Sequence, residues 1–152
     1  MAVDPRAKGA RAETDVKLRL RQSTGLNWER VPSSGALDAK HGLKGDLYVP
    51  NEKNLYSVEV KHYADDQFTT SVFTAKDPVL FQWWNQTTRQ AKQVAKLPLL
   101  IFKHDRSKLF AAFEEFPSGE YMYTYMHYET SPFYIALLDD YLLYEKPKFI
   151  LV

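Results

Sequence analysis

Asp46, Glu59 and Lys61 are the side chains whose types and spacing could most plainly do chemistry. Asp46-Leu47-Tyr48-Val49 reads as a short strand, residues 50–54 (PNEKN) as a turn, and residues 55–61 (LYSVEVK) as a second strand. Strands joined by a tight turn run antiparallel. Asp46 opens one strand and Glu59 lies near the end of the other, so the two carboxylates can converge at one end of a sheet. Alternation puts Leu55, Ser57, Glu59 and Lys61 on one face and Tyr56, Val58 and Val60 on the other. Two carboxylates beside a backbone carbonyl and waters make the hard, oxygen-rich site that Mg²⁺ prefers. A divalent ion held there could generate hydroxide and polarise a phosphoryl oxygen. Lys61 could orient the attacking water or offset charge in a pentacovalent transition state. The bland alternative is that Glu-x-Lys merely decorates a solvated strand. The context favours chemistry: a helix carrying an acidic residue precedes the hairpin, with a Ser-Gly loop between them.

The elements that must position these groups follow from pattern and punctuation. Residues 9–23 read as a helix, rich in Ala, Lys and Arg, with Gly25 as its stop. Residues 27–31 (NWERV) read as a short strand. The stretch from Val31 to Gly45 reads as a loop, with one proline, two serines and three glycines. A helix is expected within 76–96, a buried strand over 98–104, a turn at 105–108 and a returning strand at 109–113. Residues 121–128 (YMYTYMHY) alternate like a strand, and residues 134–144 (YIALLDDYLLY) fit either a helix or a strand. The order predicts an α/β (α+β) sandwich around a central mixed sheet flanked by helices.

Composition bounds the rest. A chain of 152 residues, 45% hydrophobic and 14% aromatic, suggests one domain over 1–152 with a real core. There is no cysteine, which excludes a disulfide framework and a thiolate zinc site. The first fifteen residues lack the apolar stretch of a signal peptide. Runs such as Leu97-Pro98-Leu99-Leu100-Ile101-Phe102 are far too short to span a bilayer. A soluble, intracellular protein with no membrane partner is expected, cytoplasmic in a prokaryotic or virus-infected cell. Net charge is +1. Residues 1–108 hold 18 Lys and Arg against 12 Asp and Glu, whereas residues 109–152 hold 2 against 7. The basic part could meet phosphate and the acidic part face away from it; chance clustering is the alternative.

At this point four stretches, in order, resemble the PD-(D/E)XK nucleases, and within them the archaeal-type Holliday-junction resolvases. Lys8-Gly9-Ala10-Arg11-Ala12-Glu13 is similar to that family's K-G-x-x-x-E helix start, and residues 30–35 (RVPSSG) to its R-x-x-x-S-G loop. Gly45-Asp46-Leu47 stands where the family has P-D and an apolar residue, and Glu59-Val60-Lys61 matches E-V-K. The resemblance covers residues 8–61, continues loosely through 76–103, and gives nothing for 114–152. It implies a restriction-endonuclease-like fold, with a catalytic core over 8–113 and a C-terminal extension of the same domain over 114–152. It implies Asp46 and Glu59 as the main metal ligands, Glu13 as a third acidic ligand, Lys61 as the catalytic lysine and Ser34 near the scissile phosphate. Lys8 and Arg30 would touch the DNA backbone, and Arg11, Lys40 and Lys44 would add basic contacts. The cofactor would be Mg²⁺, which Mn²⁺ would replace. The activity implied is paired nicking of four-way DNA junctions by a homodimer, leaving 5′-phosphate and 3′-hydroxyl ends. Alternatives are a restriction or repair nuclease of the same class, or a non-catalytic DNA-binding module.

Other residues carry weaker signals. His41 reads first as a solvated loop histidine, and the glutamines at 82, 86, 90 and 93 as a polar helix face, with Gln90 or Gln93 a weak active-site candidate. The tyrosines at 121, 123, 125 and 128 need no more than a half-buried strand. Trp83 and Trp84 point about 100° apart on a helix, so one is expected in the core and the other at a partner surface. No phosphate-cradling glycine loop, zinc-like histidine spacing or nucleophile elbow is present.

Overall fold

The computed structural model describes residues 5–32, 43–128 and 131–152, with backbone only for 5–8. Helix α1 (Pro5–Thr24) leads into the short strands β1 (Glu29–Arg30), β2 (Leu47–Tyr48) and β3 (Lys53–Asn54), then the long β4 (Tyr56–Tyr63). After a single-turn helix α2 (Ser71–Thr74) come α3 (Val79–Gln93), β5 (Leu97–His104), β6 (Phe110–Phe113), β7 (Tyr123–Met126), β8 (Phe133–Leu137), α4 (Leu138–Glu145) and β9 (Ile150–Leu151). Seven strands form one mixed sheet in the order β1-β2-β4-β5-β6-β8-β7, and β3 pairs with β9 apart from it. The expected mixed sheet with flanking helices is therefore present, and its last two strands come from the stretch that resembled nothing.

The expected hairpin is antiparallel, with Leu47 opposite Val58. On its other side β4 runs parallel to β5 along its whole length. That arrangement needs the α3 crossover between the two strands. Being central, β4 is covered on both faces. Val58 and Val60 join Ala12, Val16 and Leu20 of α1 and Leu138, Tyr141 and Leu142 of α4 in one core. The opposite face of the sheet packs Leu100, Phe102, Ala112, Phe133 and Ile135 against α3.

Local chemistry explains the ends of the elements. Gly25 stops α1 in the left-handed region (φ +72°), and its N–H donates to the Arg21 carbonyl at 2.9 Å. The turn at 50–54 is held by Asn54, whose side chain accepts from the Val49 N–H and donates to the Val49 carbonyl. It closes into β3, a pairing with the chain's last residues that local pattern does not reveal. The ambiguous stretch at 134–144 is both strand and helix. It leaves the sheet at Leu137 and becomes α4, with Asp139 and Asp140 in the first turn, where the helix dipole favours them.

The tryptophan expectation is corrected. Trp83 and Trp84 are both buried in the α3 core, because the helix lies flat on the sheet and the two rings splay to either side. Trp84 stacks on Phe133, with centroids 4.7 Å apart, and its Nε1–H donates to the Ser131 carbonyl at 2.8 Å. Trp83 meets Tyr63 and Phe102. Neither is left for a partner surface. Trp84→Ala should cost about 3–5 kcal/mol of unfolding free energy, as for other large buried aromatics, measurable by denaturant titration.

Candidate active site

Asp46 is placed by the glycine before it. Gly45 has φ +86°, and a Cβ there would stand 2.5 Å from the Val58 carbonyl oxygen. The position therefore excludes any side chain, and proline most of all, since its ring fixes a negative φ. The glycine that stands where proline was expected is thus required by the backbone, not merely tolerated. From this turn the Asp46 N–H donates to the Val58 carbonyl at 2.6 Å, and the Asp46 carbonyl accepts from the Val31 N–H at 2.9 Å. Its carboxylate Oδ2 accepts from the Val60 N–H at 2.7 Å. Because Leu47 faces Val58, one step along the register brings Asp46 to Glu59. The two acids thus meet as the hairpin implied, although β4 continues to Tyr63 beyond them.

Glu59 is buried, with 7% of its surface exposed, and Lys61 Nζ lies 3.9 Å from its Oε1. Tyr63, on the same face of β4, touches Trp83, so α3 roofs the face that carries Glu59 and Lys61. Glu13 reaches the site from α1, and its Oε2 accepts from Arg30 Nε at 2.7 Å. Other contacts hold α1 and β1 together beside it. Arg21 Nε donates to the Trp28 carbonyl at 2.8 Å, and the same guanidinium pairs with Glu29.

Burial pushes the Glu59 carboxyl up to about 8, with the charge of Asp46 adding to it and Lys61 opposing. Burial likewise raises Asp46 to about 6, against the pull of the Val60 N–H, while the charge of Glu13 raises it further. Two desolvated acids that resist losing their protons have a high affinity for a counter-charge. Among the described residues no three acidic or histidine side chains form a ready-made metal cage. Glu13, expected as a third ligand, is held by Arg30. A pair of hard oxygen donors fits a small divalent cation that keeps several waters and takes further ligands from a phosphate.

Of the expected backbone contacts, Arg11 is exposed on α1, Arg30 is tied to Glu13 though half-exposed, and Lys44 is partly buried just before Gly45. Lys8 begins the second turn of α1, and its side chain lies outside the described residues, as do Ser34, Lys40 and His41. Gln82 is exposed and its amide donates to the Asp77 carbonyl. His62, next to Lys61 and so on the opposite face of β4 from Glu59, pairs with Asp105 at 2.8 Å. Motif reading missed the Val60 N–H, because main-chain donors leave no mark in a pattern of residue types.

Comparison with known proteins identifies the family. The model of the family described as "Phage putative PDDEXK endonuclease" matches residues 4–139. The chain belongs to this endonuclease family. The PD-(D/E)XK endonuclease is 45% identical to Protein D14 of Escherichia phage T5 over 117 residues, 75% of this chain and 73% of that protein. A more distant likeness is to the solved structure of Hjc, a Holliday junction resolvase from Archaeoglobus fulgidus. It has a TM-score of 0.43 and 16% identity over 90% of this chain and 88% of that one. Family membership makes the protein a nuclease. Among the described residues no helix is long and apolar enough to cross a membrane.

The paired acids have a consequence for the metal-free nuclease. Both carboxyls have folded pKa values above their unfolded ones, so the native state holds protons that the unfolded chain releases. That stability is complete below about pH 4 and is lost as pH rises through about 8. Glu59→Gln removes the larger liability. With chelator present it should match the parent near pH 4 and exceed it by on the order of 1–3 kcal/mol near pH 9, read from denaturant melts across pH.

Proposed function

We propose that this endonuclease cuts branched DNA, above all four-way junctions, by Mg²⁺-dependent phosphodiester hydrolysis, with Asp46 and Glu59 as metal ligands and Lys61 as the catalytic lysine. The observation that carries the chemistry is the meeting of Asp46 and Glu59 at one end of the β2–β4 pair, with Lys61 3.9 Å from Glu59. Support for junctions comes from the four ordered stretches between Lys8 and Lys61 that resemble the archaeal-type resolvases.

The bound cation would supply Lewis acidity at the scissile phosphate and lower the pKa of a nearby water. Asp46, its Oδ2 held by the Val60 N–H, and Glu59, buried beside it on β4, would offer their remaining oxygens to the cation. Lys61 stands beside Glu59, where its ammonium can position water or offset charge that develops on the phosphoryl oxygens. Glu13 and Arg30 hold one another at the rim. Arg30 can offer its remaining N–H groups to a phosphate of the DNA backbone without leaving Glu13. Lys8, Arg11, Lys40 and Lys44, with Ser34, would extend this contact along the DNA strand. Hydrolysis would leave 5′-phosphate and 3′-hydroxyl ends. A junction has two strands to nick symmetrically, so the working unit would be a two-fold homodimer.

Single-turnover cleavage of a four-way junction, beside a linear duplex of the same sequence, tests this reading. Junction should be nicked in pairs with Mg²⁺ or Mn²⁺ and duplex left nearly intact. Asp46→Asn should abolish cleavage with binding retained. Lys61→Ala should slow it by about 10²-fold or more at nearly unchanged affinity, like loss of one transition-state donor. Equal cutting of both DNAs would indicate a restriction or repair nuclease instead. Cleavage by Asp46→Asn at the parent rate would overturn the site.

A further inference from the structure

We propose that two copies of this chain join edge to edge along β7, extending the seven-stranded sheet across a two-fold axis. β7 ends the sheet and pairs only with β8. Among the described residues no backbone hydrogen bond reaches its outer side. Exposed strand edges are normally protected by charge, proline or a covering element. Residues 121–128 (YMYTYMHY) contain no Lys, Arg, Asp, Glu, Pro or Gly. The edge is also aromatic: Tyr123 and Tyr125 are about half-exposed, and Met122 and Phe116 largely so. Tyr134 sits among the rings of Phe116, Tyr123 and Tyr125, so these side chains form a preformed platform.

Charge argues against a nucleic acid as the occupant. Aromatic platforms also stack on single-stranded bases, but residues 109–152 carry 7 acidic against 2 basic side chains, the wrong sign for a polyanion. A second copy suits the edge better. Antiparallel pairing of an edge strand with itself is self-complementary, as a two-fold contact must be, and open main-chain groups supply the affinity in strand addition. Several nearby acids are already occupied. Asp139 pairs with Arg19, and Glu145 accepts from Ser118 and Tyr121. Glu114, Glu120 and Asp140 leave residual repulsion across the contact, so added salt should strengthen this dimer, the opposite of its effect on DNA binding. The choice of a second copy rests in part on the paired-nick reading above. β7 is four strands from β4, so changes there leave the carboxylates untouched.

Sedimentation of the full chain over a micromolar series tests the inference. The parent should approach twice the 17.7 kDa chain mass, the more so at high salt. Tyr123→Lys combined with Tyr125→Lys, at exposed positions, should remain folded by its melting curve and sediment as a single chain. Hydrogen exchange on the parent should show amides of 123–126 gaining protection as concentration rises. A monomeric parent, a double variant that still dimerises, or concentration-independent exchange at β7 would each overturn the proposal. A β7-dependent dimer with no preference for junctions would leave the interface standing and remove the resolvase reading. Junction cleavage by a dimer indifferent to the double variant would do the reverse.

Discussion

Two carboxylates held near one another away from water repel, and the folded chain around Asp46 and Glu59 keeps them there against that repulsion. Asp46 accepts the Val60 N–H through Oδ2, and Glu59 is closed in on a central strand beneath α3. Both acids hold protons unusually tightly as a result. On the proposed function, a divalent cation would supply the counter-charge that these side chains lack. Lys61 offsets only part of the charge, because its ammonium stays 3.9 Å away and partly exposed.

The rest of the molecule can be understood from that constraint. β4 can carry acids on one face because its other face, through Val58 and Val60, is anchored in the α1 and α4 core. Parallel pairing with β5 over its whole length and the α3 crossover hold β4 in the middle of the sheet beside the site. β2 contributes only two paired residues, yet Gly45 forces the chain into a turn that delivers Asp46 against β4. Ion pairs of Arg21 and Arg30 with acids across the α1–β1 junction hold Glu13 at the rim. There it adds to the negative potential on both buried acids.

Much of this was legible in the residues. The Asp46 and Glu59 hairpin, the α1 stop at Gly25, the α3 helix and the buried β5 follow from alternation, turn chemistry and helix termination, which are local. What was not legible is what two distant segments do to each other. The β3–β9 pairing joins residues almost a hundred apart in sequence. The splay of Trp83 and Trp84 depends on a sheet wide enough to receive both rings, which helix geometry alone argued against. Residues 134–144 satisfy both periodicities because they form both structures in turn. The restriction on Gly45 exists only because the Val58 carbonyl is pressed against it, so the motif position reads as a neutral exchange until the backbone is seen.

On the proposed function, the protons on this acid pair give way to a divalent cation. Calorimetric titration of Mg²⁺ or Mn²⁺ into the nuclease at pH 7, in buffers of different ionisation enthalpy, counts the protons released on binding. With Glu59 near 8 and Asp46 near 6, binding should release about one proton per site, and Glu59→Gln should abolish that release and weaken binding. Metal binding with no proton release, or with the same release in Glu59→Gln, would contradict the account.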